Sequence, residues 1–276
     1  GDLIISCGSS LAPVNVLWAS ENLAKSVAIM NPAPVPLRRF DLVIAPAHDR
    51  LRRANVIQTA GAVSSFGDDD LLMAKGRLPA HPNFRRDRPG LDQRPAIAVF
   101  IGGETAYYDL NAAFIDALCA QVTAACEVVG GWCLVTTSRR TSPAVERLLS
   151  ERLGHHPRCR FLLIATRDPI NGTMEGMLGW ADVAVVTGES ISMVSESCAS
   201  GRPVIVVEPP LRPGRTARST LTKHQRFLRG LAKEGYARVH PIPEVSHAIQ
   251  RALKERRSAK RLDTLAPVRD AVARLL

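Results

Sequence analysis

Short, nearly continuous apolar runs alternate along this chain with longer stretches whose apolar residues recur at helical spacing. Runs at residues 3–6, 26–30, 41–45 and 56–59 predict four strands in the first third. Residues 96–101, 133–136, 161–164, 183–186 and 204–207 predict five more. Helices are predicted over 12–23, 110–128, a stretch ending near Leu153, part of 171–180, 190–199, 223–234 and 244–257. Strands apolar on both faces and separated by helices predict parallel sheets covered on both sides.

Residues 67–94 break the pattern. The acidic patch Asp68, Asp69 and Asp70 precedes a short helical stretch, and proline, glycine and alternating charge then mark a crossover. A boundary close to Gly90 divides the chain into domains 1–90 and 91–276, both expected to be Rossmann-like α/β units with a cleft between them. Gly1 is not an initiator Met, and a strand begins almost at once. The first domain is therefore expected to be incomplete at its start.

Composition narrows the partners. The 276 residues carry a formal charge of +10 and are 46% apolar, which supports real cores and an anionic ligand or surface. Three Tyr and three Trp are a poor supply of stacking platforms, which argues against nucleic acid as a partner. Six scattered cysteines without a CxxC pair read as reduced residues of a cytoplasmic protein. Arg and Lys interleaved with Leu253, Leu262 and Leu265 near the end would suit peripheral contact with an anionic membrane or packing on the first domain.

The densest candidate chemistry lies between Asp182 and Val207, where two strands flank Thr187, Gly188, Glu189, Ser190 and Ser192. Gly188 suits a tight turn and Ser190 an N-cap. Amides near Gly188, Ser190 and Ile191 would then face a diphosphate, since a helix start offers unpaired N–H groups and partial positive charge. Glu196, two turns into the helix, would face the same ligand. Arg139 and Arg140 follow a strand and suit phosphate charge. Directly after the 41–45 strand, His48 and Asp49 are candidate proton acceptors for catalysis.

The segments FDLVIAPAHD at 40–49, NVIQTAGA at 55–62, IGGETAYYDL at 101–110, TTSRRTSP at 136–143, VVTGESISMVSESCASGRPVIV at 185–206 and KHQRFLRGLAKEG at 223–235 carry a resemblance over most of the chain. It resembles bacterial members of the mitochondrial fission factor-like (elongated mitochondria) family. The 182–207 stretch resembles the nucleotide-binding domain of GT-B glycosyltransferases, which have two Rossmann-like domains. That resemblance implies a nucleoside diphosphate sugar as substrate, with no tightly bound cofactor and no metal. Glu196 would hold the ribose, and Gly188, Glu189 and Ser190 would lie along the diphosphate. Gly102, Gly103 and Glu104 would face the same crevice with Arg139 and Arg140, His224 would approach the ligand, and the first domain would bind an unknown acceptor. The plant relatives, which recruit a fission dynamin, imply the alternative of a non-catalytic scaffold.

Overall fold

The computed structural model describes residues 2–64, 67–85, 93–168, 171–212, 222–255 and 259–276. Two wholly parallel sheets form two α/β units. The first sheet runs β1 (Leu3–Cys7), β2 (Lys25–Ile29), β3 (Leu42–Pro46) and β4 (Val56–Thr59) in sequential order. Helix α1 (Ala12–Glu21) joins β1 to β2 and covers one face, where Ala12, Ala28, Phe40, Val43 and Ala45 form the core.

The second sheet comprises β5 (Ala96–Ile101), β6 (Trp132–Thr137), β7 (Cys159–Leu163), β8 (Val183–Thr187), β9 (Val204–Val207) and β10 (Arg238–His240). Its spatial order is β10-β9-β8-β5-β6-β7. Numbered within the unit, this is the 3-2-1-4-5-6 order of a dinucleotide-type Rossmann fold, which reverses between β5 and β8. All six residues of β5 are buried, as a strand covered on both faces requires.

One face of this sheet packs against α3 (Ala112–Val128), α4 (Pro143–Leu153) and α8 (Val245–Glu255). The other packs against α5 (Thr173–Trp180), α6 (Ile191–Ala199) and α7 (Lys223–Lys233). Local chemistry starts the helices where the sequence permits: Asn111 accepts from the Phe114 amide at 2.9 Å, and Thr222 and Gln225 cap α7 reciprocally.

Packing divides the chain differently from a cut at Gly90, which itself lies outside the described residues. Helix α2 (Asp68–Arg77) and the turn after it pack on the second unit, with Leu71, Leu78 and Phe84 in its core. The acidic patch is the first turn of α2, and Asp70 accepts from the Gly67 amide at 2.7 Å. Conversely α9 (Ala266–Ala273) returns to the first sheet and places Val268 and Ala271 against Val27, Leu42 and Ile44. Strand β10 carries no apolar run, and helix α9 lies beyond the last helix that the sequence pattern predicts. Five cysteines are buried and Cys7 is exposed. No described helix is long and apolar enough to cross a membrane.

Candidate functional site

Ligands of open parallel sheets sit beyond the carboxyl ends of the strands where the order reverses. That point here joins the loop after β5, the loop after β6 and the β8–α6 turn. Thr187, at the end of β8, links them: its Oγ1 accepts from the Gly102 amide at 2.8 Å and donates to Glu189 Oε1 at 3.0 Å. Thr141 Oγ1 donates to the Gly102 carbonyl at 2.6 Å and accepts from the Ser138 amide, bracing the loop that carries Arg139 and Arg140.

The structure separates the expected site residues into two neighbouring groups. Arg139, Arg140, Ser190 and Glu196 line one cleft of about 790 Å³, together with Ser192, Asn171, Met174, Glu175 and Met193. Ser190 stands at the N-cap position of α6, yet its side chain makes no capping hydrogen bond. The hydroxyl and the first-turn amides of α6, which have no carbonyl four residues back within the helix, are thus available to an anion. At the other end Glu196 is pushed up to about 7, first by burial and then by the Glu175 carboxylate. The cleft is cationic at the helix start and acidic two turns on.

The glycine-rich loop is not part of that lining. Its amides are engaged internally: Gly102 with Thr187, Glu104 with the Arg140 carbonyl, and Gly103 against the Glu189 carboxyl. A Cβ on Gly102 would stand 1.9 Å from Glu189 Oε1, so the missing side chain makes room for the glutamate. Glu104 points outward to Arg212 at 2.8 Å. The Gly188 amide donates to Val207, and a Cβ there would meet Leu228 Cδ1 of α7 at 2.8 Å. This glycine serves close packing rather than a left-handed turn. Ile191 packs on the second core.

Glu189 is 2% exposed, and burial pushes it up to about 7 against the Thr187, Gly103 and own-amide hydrogen bonds that lower it. His224 lies beside it, its pKa depressed to about 4 mainly by burial. Tyr108, which the sequence pattern did not single out, meets His224 edge-on at 5.5 Å and donates to Glu208 at 2.8 Å. From the first unit, His48 reaches the same wall and packs edge-on against Phe227 at 5.3 Å. Its Nε2 is 3.9 Å from Asp49 Oδ1, too long for the hydrogen bond of an acid–base dyad. Burial depresses His48 below the usual imidazole range, against the Asp49 carboxylate, which raises it. Among the described residues no group of three or more His, Cys, Asp or Glu could hold a metal ion.

The family model described as Mitochondrial fission ELM1 matches residues 1–275. The Mitochondrial fission protein ELM1 of Arabidopsis thaliana is 30% identical over 235 residues, covering 74% of this chain and 51% of that protein. The chain thus spans about half the length of the curated relative it matches. The UDP-GlcNAc 2-epimerase of Neisseria meningitidis, solved bound to UDP-GlcNAc, superposes with TM-score 0.59 at 12% identity, over 99% of this chain and 76% of that one. The Methanocaldococcus jannaschii UDP-GlcNAc 2-epimerase gives 0.59 at 11%, over 99% and 76%. A UDP-forming trehalose-phosphate synthase from Burkholderia xenovorans gives 0.52 at 12%, over 98% and 70%. The architecture is two-domain, α/β and GT-B-like.

Proposed function

Because this chain belongs to the mitochondrial fission ELM1 family and has a GT-B-like fold, we propose that it binds a nucleoside diphosphate sugar and acts on it as a glycosyltransferase-like enzyme. The observation that carries this reading is the cleft at the strand-order reversal, with Ser190 and the α6 start at one end and Glu196 at the other. Ser190, Ser192, Arg139 and Arg140 hold the diphosphate, and Glu196 takes the ribose hydroxyls. Two solved structures of similar fold carry nucleotide sugar-epimerase names, which supports the substrate class but does not choose between epimerisation and transfer.

In transfer, an acceptor hydroxyl from the first-domain side attacks the anomeric carbon while His48 takes its proton. The bond from that carbon to the diphosphate oxygen breaks, and the electron pair leaves with the diphosphate. Arg139, Arg140 and the helix start stabilise the charge that develops.

Calorimetric titration with uridine, guanosine and cytidine diphosphates and their sugars tests the reading. One of them binds, and Glu196→Ala weakens it by about tenfold, the usual effect of a lost charge-assisted hydrogen bond. Binding of none overturns the proposal. Product analysis with the bound sugar nucleotide then separates transfer from epimerisation.

A second reading, a non-catalytic scaffold, is favoured by α1, whose outer face leaves Leu17 67% and Trp18 59% exposed beside Leu11, Val14 and Leu23. A scaffold needs no nucleotide, so the same titration separates the two.

A further inference from the structure

A ribose at Glu196 and a diphosphate at the α6 start leave one side of the cleft without a ligand group, the side formed by the ends of β6 and β7 and the first turn of α5. Leu163, Ala165, Met174 and Met193 supply apolar surface to the lining there. The Thr136 and Thr137 hydroxyls are engaged within the sheet end: Thr136 Oγ1 donates to the Leu163 carbonyl at 3.3 Å, and Thr137 Oγ1 accepts from the Ala165 amide at 2.9 Å. Glu175 lines the same cleft from the first turn of α5 and is half-buried. Among the described residues neither a hydrogen bond nor an ion pair engages its carboxylate.

That lining suits a nucleobase, whose flat faces need apolar and polarizable neighbours and whose edge needs a polar one. The base is joined directly to the ribose and so falls beside Glu196. Glu175 stands on the neighbouring helix, close enough for its charge to act on Glu196. The Watson–Crick edge of a base points away from its ribose, so the group that reads it must be a different one from the group that holds the sugar hydroxyls.

The chemistry of the edge selects the base. A carboxylate accepts with both oxygens and donates nothing. Guanine alone among the common bases offers two adjacent donors, N1–H and the 2-amino group, which a carboxylate takes bidentately. Uracil sets its single N–H between two carbonyl oxygens, while adenine and cytosine place a ring-nitrogen lone pair beside their amino group, and all three patterns repel one carboxylate oxygen. Asn171, also in the lining, both donates and accepts and does not discriminate. The uridine carried by the epimerases of like fold does not bear on this edge, since at 11–12% identity only the fold is shared. Resting on the nucleotide reading of the cleft, we infer that Glu175 binds the Watson–Crick edge of guanine and makes this a guanosine diphosphate site.

Calorimetric titration of the full chain with guanosine, inosine, uridine, cytidine and adenosine diphosphates tests this, with thermal unfolding to confirm that each variant folds. Guanosine diphosphate is expected to bind about tenfold or more tightly than the others, inosine diphosphate included, which lacks only the 2-amino group. Glu175→Gln turns an amide donor towards one of guanine's donors. It is expected to lose about tenfold for guanosine diphosphate, to stay within about twofold for uridine diphosphate, and to bind guanosine and inosine diphosphates alike. Equal binding of all five, a preference for another base, or equal weakening of guanosine and uridine diphosphates by Glu175→Gln overturns the guanine assignment and leaves the nucleotide cleft standing. Binding of none overturns the nucleotide reading and this inference with it.

Discussion

The Ala62 amide of the first unit donates to Ser195 Oγ on α6 at 2.9 Å, and that hydroxyl donates in turn to the Ile191 carbonyl at 2.8 Å. Ser195 adjoins Glu196, so the helix lining the cleft is fastened to the opposite unit one residue from the proposed ribose ligand. A Cβ on Gly61 would stand 2.5 Å from the same Oγ, so the contact requires glycine there.

Ser195→Ala leaves the Ala62 amide without its acceptor and is expected to cost about 1–2 kcal/mol of stability. Gly61→Ala is expected to cost more, because the serine hydroxyl must move away. Combined, the two substitutions destabilise by less than their sum, since the alanine at 195 vacates the space the new methyl needs. Denaturant titration of the four proteins measures this coupling, and strict additivity would show that the hydroxyl is not the obstacle.

Arg139 and Arg140 stand on a loop braced by Thr141 and Ser138, and both line the cleft beside Ser190. Nucleoside diphosphate affinity is expected to fall about tenfold in Arg140→Ala, and binding to weaken as salt rises. Arg139→Ala is expected to act in the same direction. Calorimetry at low and high ionic strength checks both, and a salt slope unchanged in the double variant would remove the arginines from the diphosphate seat.

The sheets were legible in the sequence because buried parallel strands are unbroken apolar runs, as 96–101 and 183–186 are. The three-residue β10 is too short and too exposed to leave such a run. For helix α9 it was the partner that could not be read. Its stripe of Val268, Ala271, Val272 and Leu275 has helical spacing, but that it packs on the first sheet, more than two hundred residues away in sequence, no local pattern shows.

Site residues divided in the same way. That Ser190 and Glu196 share one helix after β8 was readable, because a strand-to-helix junction is a local pattern. The role of Gly102 was not, since it depends on a glutamate 87 residues later filling the space beside it. Tyr108 was passed over because nothing local marks a tyrosine that will face His224 across the fold.

Helices α2 and α5 cross closely enough that a Cβ on Gly179 would meet the Leu71 carbonyl at 2.3 Å, while one on Gly176 would meet the Ala74 carbonyl at 3.1 Å. Backbone cannot yield as a side-chain tip can. Gly179→Ala is therefore expected to destabilise the protein by about 1–3 kcal/mol, and Gly176→Ala by less. Thermal unfolding of the two variants tests the order, which equal effects would contradict.

Glu189 and Glu196 are both raised from 4.5 to about 7, so the folded state binds more protons than the unfolded chain between those values. Stability from these groups is present at low pH and is lost as pH rises from about 4.5 through about 7. For the 2%-exposed Glu189 the loss amounts to roughly 3 kcal/mol. His224, lowered from 6.5 to about 4, has the opposite sign: stability is lost as pH falls from 6.5 through about 4, and His48 shifts in the same direction. The two effects oppose each other below about pH 6.5, the unshifted imidazole value, and only the carboxyl effect remains above it. A plateau at mildly acidic pH followed by a decline into the weakly alkaline range is the expected profile. Glu189→Gln flattens the decline because a buried amide does not titrate, and His224→Phe steepens the profile on the acidic side by removing the opposing slope. Urea denaturation across this range measures both, and an alkaline decline of equal size in Glu189→Gln and the unaltered protein would rule out Glu189 as its source.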